Sequence, residues 1–194
     1  KTVKIEKTSG ETIEHKYDKA IIATGSVIAT IPSLSINSKR LLNSTSALDL
    51  PEIPKSLLVV GGGYIGLELG SVYNALGTKV SVVEMTPGLL PGADRDLVTF
   101  LSRRIDKQFE KVMLNSKVVE LKEVENGINV KIQTSDGKVT ETVYDYVLMS
   151  IGRKPETKGL GLENTKVKVN DRGWINVNPQ LRTDDPTIYA IGDI

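Results

Sequence analysis

The stretch VVGGGYIGLELG, residues 59–70, decides the fold, because it sets three glycines in the pattern Gly-x-Gly-x-x-Gly between two apolar segments. The apolar run 57–60 predicts a buried strand, and the periodicity of 65–76 predicts an amphipathic helix that stops at Gly77. A second strand is predicted over 79–84. Strand, glycine turn, helix and strand in this order form a βαβ unit, which belongs to a parallel sheet.

Each glycine of the pattern has its own physical task. Gly61 permits the tight turn, Gly63 lets the backbone approach a pyrophosphate, and Gly66 lets the helix pack close to the strand. Unpaired N–H groups and the positive end of the helix dipole then favour phosphate at this turn. Gly70 lies four residues after Gly66 on the same helical face and extends the close packing. The pattern in this setting predicts a dinucleotide site.

Glu84 ends the second strand roughly 20 residues beyond Gly63, where such domains carry the acid that holds the adenosine ribose. A carboxylate accepts both ribose hydroxyls but repels a 2′-phosphate. At about 4 Å and an effective dielectric near 20, two like charges cost roughly 4 kcal/mol, which exceeds two decades of affinity. The next basic residue is Arg95. The sequence therefore predicts NAD and not NADP.

Two other polar residues receive no catalytic role from the sequence alone. Glu68 is predicted in the first turn of the helix, where the dipole favours a carboxylate by roughly 0.3 to 1 kcal/mol. His15, the only histidine, falls in a predicted strand among polar neighbours and is interpreted as an exposed residue. The 194 residues contain no cysteine, so they offer no thiol chemistry and no thiolate metal ligand. No metal site is expected.

The composition limits the partners. With 39% apolar residues, the chain can build one core, or one domain with parts of a second. Its 25 basic and 24 acidic residues leave a net charge of +1, so neither nucleic acid nor anionic lipid is an expected partner. The longest uncharged apolar stretch, 57–67, is about half a membrane span, and the first residues do not resemble an export signal. A cytoplasmic protein is expected.

The remaining segments divide into three kinds of structure. Residues 2–17 predict a hairpin around Ser9-Gly10, and 19–23 predicts a short apolar strand. The stretch 31–54 is rich in proline and serine and is interpreted as connection with a short helical candidate at 47–49. A domain boundary is placed near 51–55.

The part after the βαβ unit predicts one more helix and three strands. The helix covers 94–110, because apolar residues recur every four positions and are expected to share one face. The strands 118–125, 128–134 and 139–143 are joined by Asn-Gly and Asp-Gly, the commonest tight turns, and predict an antiparallel meander. The residues expected on the buried helix face are Leu97, Leu101, Ile105 and Phe109.

The chain also contains an internal repeat. Residues 8–25 (TSGETIEHKYDKAIIATG) align without a gap on 135–152 (SDGKVTETVYDYVLMSIG), which predicts two related domains. The second copy closes a unit that begins at Gly61, whereas only 24 residues precede Gly25. We therefore expect the chain to begin inside a domain whose earlier part holds another phosphate loop. The matched pairs are Gly10/Gly137, Glu14/Glu141, Tyr17/Tyr144, Asp18/Asp145 and Gly25/Gly152.

The stretch 61–84, GGGYIGLELGSVYNALGTKVSVVE, resembles the pyridine nucleotide-disulfide oxidoreductases. The resemblance continues through ATGS (23–26), NSTSALDL (43–50), SIGRKP (150–155) and IYAIGDI (188–194). ELGS, together with Glu84 in place of arginines, is similar to the lipoamide branch and unlike the NADPH-using glutathione branch. The resemblance implies an α/β fold in which a Rossmann-like NAD-binding domain, with a parallel sheet, helices and a meander, interrupts an FAD-binding domain.

The resemblance also implies domain bounds and site residues. Residues 1–50 would belong to the FAD-binding domain, 51–153 to the NAD-binding domain, and 154–194 to a return segment that ends in the Gly-Asp motif. Glu68 gains a role beside nicotinamide and flavin, and Val118 and Gly152 would lie at the adenine side and the rim. The implied NAD contacts are Gly61, Gly62, Gly63, Tyr64, Ile65, Gly66, Glu68, Glu84, Val118 and Gly152. The implied FAD contacts are Thr24, Gly25, Ser26 and Asp193.

The activity implied is oxidation of dihydrolipoamide by NAD⁺ through a cysteine pair and FAD. The family's cysteine pair and first FAD loop are expected before Lys1, and its His-Glu acid/base pair and dimerisation domain after Ile194. We therefore expect an internal piece that binds NAD(H), retains FAD weakly and is inactive alone. In the intact enzyme the expected partners are a second copy and the lipoyl domain of a 2-oxoacid dehydrogenase complex.

Two alternatives stay open. One is another NADH-dependent flavoprotein reductase of the same fold, such as an NADH oxidase or a coenzyme A disulfide reductase. A C-x₄-C pair upstream favours the lipoamide enzyme, and a single cysteine favours these reductases. The other alternative is a module that binds NAD(H) without chemistry, which flanking sequence without cysteine would support.

Overall fold

The computed structural model describes residues 1–49 and 52–194, so the predicted boundary at 50/51 lies outside the described residues. Two compact units form: residues 1–27 together with 153–194, and residues 28–152. Residues 28–49 thus group with the second unit, although the sequence had placed them with the FAD-binding part. The grouping follows contacts within the chain, and the assignment of a cofactor to each part stays a prediction.

The described residues contain short strands and two α-helices. No helix in these ranges is long and apolar enough to cross a membrane. The helices are α1 (Tyr64–Ala75) and α2 (Arg95–Gln108), with 3₁₀ turns at Pro32–Leu34, Ser46–Leu48 and Leu162–Asn164. The strands are β1 (Thr2–Glu6), β2 (Thr12–Lys16), β3 (Ala20–Ile22), β4 (Ser26–Ile28), β5 (Leu41–Leu42), β6 (Ser56–Val60), β7 (Lys79–Val83), β8 (Lys111–Met113), β9 (Ser116–Val124), β10 (Gly127–Thr134), β11 (Val139–Tyr144), β12 (Tyr146–Met149), β13 (Arg153–Pro155) and β14 (Ile188–Ala190).

A five-stranded parallel sheet is the centre of the second unit. Its order is β5-β12-β6-β7-β8, and every neighbouring pair runs parallel. Strands β6 and β7 are rich in buried valine or leucine because a parallel sheet is covered on both faces. Helix α1 connects β6 to β7, which confirms the predicted βαβ unit. The strands β5 and β8 were not predicted, and β5 shows that 31–54 is more than connection.

Alternate residues of β6 lie in two different hydrophobic clusters. Leu57 and Val59 pack with the apolar faces of α1 and α2, including Tyr73 and Ile105. Leu58 and Val60 pack with residues of β9 and β10 in the other cluster. Successive strand side chains point to opposite faces, so this alternation places the helices on one face of the sheet and the meander on the other.

The meander is confirmed as an antiparallel sheet in the order β11-β10-β9. Its two predicted turns contain glycines with positive φ, +154° at Gly127 and +84° at Gly137. A Cβ on Gly127 would collide with the carbonyl of Tyr144, so no other residue fits this turn.

The prediction that Leu97 shares the buried face of α2 is wrong. Leu97 is 67% exposed, whereas Val98 is 5% exposed and packs in the core with Ile105 and Phe109. An α-helix has 3.6 residues per turn, so a spacing of four drifts by about 40° at each step. Three such steps separate Leu97 from Phe109 and carry Leu97 to the solvent side.

The first unit consists of short strand pairs. Strands β1 and β2 form the predicted hairpin, with Ile5 opposite Ile13. Strand β3 pairs parallel with β14, and β4 pairs with β13. Asp185 lies just before β14, where the ammonium of Lys1 and the hydroxyl and amide of Thr187 hold the pKa of its carboxyl well below the usual range.

Candidate functional site

The glycine turn after β6 leaves no space for side chains at two of its positions. Gly61 has φ +105°, and a Cβ there would lie 2.5 Å from the carbonyl oxygen of Ser150. A Cβ on Gly66 would collide with the carbonyl of Gly61 and the hydroxyl of Ser150. The first and third glycines therefore serve the tight turn and the close approach of α1, as the sequence predicts. Ser150, whose hydroxyl donates to Val60 at 3.0 Å, was not selected from the sequence.

Gly63 and the start of α1 face open space. A Cβ on Gly63 would meet no atom within 4 Å, although this glycine has φ −78°, which any residue can adopt. The first backbone bond of the helix runs from Leu67 N–H to the carbonyl of Gly63. The N–H groups from Gly63 to Gly66 find no acceptor within residues 1–49 and 52–194. Donors without partners beside an open surface fit a diphosphate.

Glu84 turns its carboxylate toward this glycine turn. Its Oε2 accepts the N–H of Gly62 at 2.7 Å, and its Oε1 accepts the N–H of Thr86 at 2.8 Å. The residue is 8% exposed. Two amides thus fix the acid beside the second glycine.

Glu68 lies just beyond the first turn of α1, in which the sequence predicts it, because the helix begins one residue earlier than expected. Gly63 is the N-cap and Tyr64 the first helical residue, so Glu68 belongs to the second turn, where the dipole effect has declined. Tyr64 and Glu68 are both exposed, and Ile65 is half-buried. Their spacing of four places the tyrosine and the carboxylate on one solvent-facing stripe.

Val118 and Gly152 occupy two segments that adjoin the site. Val118 lies on β9, whose first residue, Ser116, donates its N–H to the carbonyl of Glu84 at 3.0 Å. The side chain of Val118 is buried in the cluster with Val60 and therefore also serves the core. Gly152 has φ +110° and follows Ser150, whose carbonyl lies against Gly61.

The four residues predicted to contact FAD lie close together in the first unit. Ser26 donates its hydroxyl to the carboxylate of Asp193. Thr24 donates to the carbonyl of Glu156 at 2.8 Å, and Gly25 accepts the N–H of the same residue at 2.9 Å.

Arg153 completes this cluster and was missed. Its Nε donates to the hydroxyl of Ser26 at 2.6 Å, its Nη2 to the carbonyl of Ser26 at 2.5 Å, and its Nε lies 3.7 Å from the carboxylate of Asp193. Its place directly after the repeat's last glycine, within SIGRKP, was the available signal.

Comparison with known proteins defines the class. Residues 1–194 match the family described as pyridine nucleotide-disulphide oxidoreductase. The chain belongs to this family, which confirms the family and the fold class predicted from the sequence. Enzymes of the family use FAD and NAD(H).

The curated relatives include many dihydrolipoyl dehydrogenases. The chain is 46% identical to that of Haemophilus influenzae over 92% of its length and 37% of the relative's. It is 41% identical to that of Vibrio cholerae, covering all of this chain and 40% of the relative. The chain thus spans about two fifths of the length of the relatives it matches.

Solved structures agree with the fold. The crystal structure of LpdA from Mycobacterium tuberculosis superposes with a TM-score of 0.87 at 31% identity, over 98% of this chain and 40% of that one. The HOCl-induced flavoprotein disulfide reductase RclA from Escherichia coli gives a TM-score of 0.84 at 30% identity, over 99% of this chain and 42% of that one.

Proposed function

We propose that this chain supplies the NAD(H)-binding part of an FAD-dependent dihydrolipoyl dehydrogenase. The observation that carries the proposal is the open glycine turn, where the N–H groups from Gly63 to Gly66, which have no acceptor among the described residues, adjoin the fixed carboxylate of Glu84. The identities to dihydrolipoyl dehydrogenases, up to 46%, exceed the 30% to RclA and support the lipoamide branch.

Each residue of the turn has a task in this proposal. The N–H groups of Gly63 to Gly66 bind the diphosphate, and Glu84 accepts hydrogen bonds from the adenosine ribose. Its two amide partners use one lone pair on each oxygen, and a carboxylate oxygen has capacity for another bond. Val118 and Gly152 border the adenine side and the rim, and Tyr64, Ile65 and Glu68 border the nicotinamide.

The first unit supplies part of the FAD site in the same proposal. Thr24, Gly25 and Ser26 contact FAD, and Asp193 bonds its sugar chain. Arg153, which binds Ser26, orients this cluster. FAD, when bound, supplies the electron transfer between the thiols and the nicotinamide, and the residues of this chain bind and orient the two cofactors.

The chemistry on sulfur belongs to residues outside this sequence. The chain contains no cysteine, so a redox-active pair must come from elsewhere in the intact enzyme. We propose that the 194-residue chain binds NAD(H) but does not itself oxidise dihydrolipoamide. Homodimerisation, docking of a lipoyl domain and a cytoplasmic location are proposed for the intact enzyme on the resemblance alone.

A related disulfide reductase is the second candidate, supported by the likeness to RclA over 99% of the chain. The intact enzyme separates the two: oxidation of dihydrolipoamide with NAD⁺ supports the first, and NADH-dependent reduction of another disulfide without lipoamide turnover supports the second.

The variant Gly63→Val tests the nucleotide site itself. A side chain at this position meets no protein atom within 4 Å and needs no unusual backbone, so the fold is expected to keep its stability. The same side chain would occupy the space of the diphosphate. We expect the dissociation constant for NADH, measured by fluorescence titration, to rise at least about tenfold, which is ~1.4 kcal/mol.

Thr2→Val is the control, because Thr2 is an exposed position of β1 in the first hairpin and a strand accepts valine without backbone strain. This variant is expected to bind NADH like the wild type. Unchanged NADH binding by a folded Gly63→Val variant would refute the placement of the diphosphate.

A further inference from the structure

The segment 86–93, which we call the strap, holds the middle glycine of the turn in place. The N–H of Leu90 donates to the carbonyl of Gly62 at 2.9 Å. The buried side chain of Leu89 packs on the same glycine, since a Cβ on Gly62 would lie 2.7 Å from its Cδ2. Glu84 accepts the N–H of Gly62. Gly62 is therefore fixed at its N–H, its Cα and its carbonyl, and two of these contacts come from the strap.

Arg95, the first residue of α2, fixes the strap. Its guanidinium donates to the carbonyl of Leu89 at 3.0 Å, to that of Leu90 at 2.5 Å, and twice to that of Ala93, at 3.0 and 2.9 Å. The carbonyls converge on one cation in a tight turn, in which Leu90 has φ +49°. A planar fork with five donors suits such convergence better than the point charge of lysine.

We propose that Arg95 is a positioning residue for dinucleotide binding. It holds the strap against Gly62 and so keeps the N–H groups of the glycine turn oriented to bind a diphosphate. The inference rests on the proposed function. It also means that the guanidinium is engaged by main-chain carbonyls and does not serve a 2′-phosphate, although Arg95 is the first basic residue after Glu84.

The chain offers two independent ways to disturb the strap. Arg95→Met removes the four hydrogen bonds and keeps a long apolar stem. Gly88→Ala keeps the arginine but introduces a Cβ 2.8 Å from its Nη1, which displaces the guanidinium. Arg95→Lys retains the charge without the fork and should give partial rescue. Arg104→Met, at an exposed position of the same helix, is the matched control.

Each variant of the 194-residue chain is titrated with NADH and with NADPH. Urea denaturation and hydrogen exchange of the Gly62 and Leu90 amides are measured on the same variants. We expect Arg95→Met and Gly88→Ala to weaken NADH about tenfold, which is ~1.4 kcal/mol, within the range of coupling between neighbouring residues. The affinity for NADPH should fall by the same factor, because both nucleotides contain the diphosphate that the glycine turn binds. Both amides should exchange faster, and Arg104→Met should match the wild type.

Three results would overturn the inference: unchanged NADH affinity in both strap variants, unchanged exchange at Gly62 and Leu90, or a selective loss of NADPH that assigns Arg95 to the 2′-phosphate. If Arg95→Met does not fold, Gly88→Ala carries the same comparison. A wild-type chain that binds neither nucleotide would instead refute the proposed function, and the amide exchange would still show whether Arg95 holds the strap.

Discussion

The two copies of the internal repeat share residues but differ in burial. In the second copy, β12 lies between β5 and β6, and Val147 and Leu148 are fully buried. In the first copy, β3 pairs with β14 alone among the described strands, and Ile21 is 64% exposed. The shared turn, Tyr-Asp pair and apolar strand therefore specify local structure, whereas the neighbouring strands of the βαβ unit supply the core.

The aspartates of the repeat show the same contrast. Asp145 accepts the N–H groups of Lys55 and Ser56 at 2.7 and 3.1 Å, which ties the start of β12 to the start of β6. Asp18 forms no hydrogen bond or ion pair with the part of the chain that the structure describes. One motif thus acquires an additional stabilising contact only where the rest of the parallel sheet is present.

Shortening one side chain in each of the two strands should produce the largest difference in the free energy of unfolding. Leu148→Ala removes a fully buried side chain from β12 and is expected to cost about 2 to 5 kcal/mol in the free energy of unfolding. Ile21→Ala, on the mostly exposed position of β3, is expected to cost less than about 1 kcal/mol. Urea denaturation followed by circular dichroism measures both costs. Equal losses of unfolding free energy in the two variants would contradict the difference in burial between the copies.

A smaller difference in thermal stability is expected when a lysine is replaced in each of the two hairpins that accompany the copies. In the meander, Lys131 lies opposite Glu120 and Glu141, and hydrogen bonding and attraction, chiefly from Glu120, raise its pKa above the usual 10.5. In the first hairpin, the Nζ of Lys4 lies 3.5 Å from the Oε1 of Glu14, its one ion-pair partner among the described residues. Lys131→Met should therefore lower the thermal midpoint more than Lys4→Met, and added salt should reduce both losses.

The pH dependence of that difference follows from the raised pKa. A group that binds its proton more tightly in the folded state stabilises fully below its unfolded pKa, and this contribution disappears as pH rises through the folded value. The cost of Lys131→Met should thus be constant from neutral pH, where Glu120 and Glu141 are ionised, up to about pH 10.5, and shrink above it. A cost that persists at higher pH would mean that packing of the lysine stem, and not its charge, stabilises the meander.

The sequence predicted those helices and strands that are marked by a glycine pattern or by a regular spacing of apolar residues. The glycine pattern with its flanking valines located β6, α1 and β7, and the glycine turns located the meander. Strands β5 and β8 are two and three residues long, and they exist because longer neighbours provide their hydrogen bonds. Leu97 was misplaced because a period of four was taken for the helical period of 3.6.

The candidate site divides in the same way. Gly61, Gly66 and Glu84 were selected from the sequence because the motif calls for a particular residue type at each of these positions, and their contact with a cofactor stays a prediction. Arg95 was not selected, because it donates to main-chain carbonyls, and a carbonyl as acceptor leaves no mark in the sequence. Arg153 follows the last glycine of the repeat, but its contact with the carbonyl of Ser26 cannot be read from that position. Contacts of this kind become visible only once the turns that present the carbonyls are known.

The preference between NADH and NADPH in the variant Glu84→Gln tests the central claim most directly. Glutamine has one acceptor oxygen, which can keep the bond to the N–H of Gly62, while its NH2 group cannot accept the N–H of Thr86. The variant thus removes the charge that repels a 2′-phosphate at the cost of one hydrogen bond on the far side of the carboxyl from the glycine turn. We predict that NADH binds more weakly, that NADPH binds more tightly, and that the ratio of their dissociation constants changes by at least about tenfold. An unchanged ratio in the folded variant would contradict the placement of the ribose at Glu84.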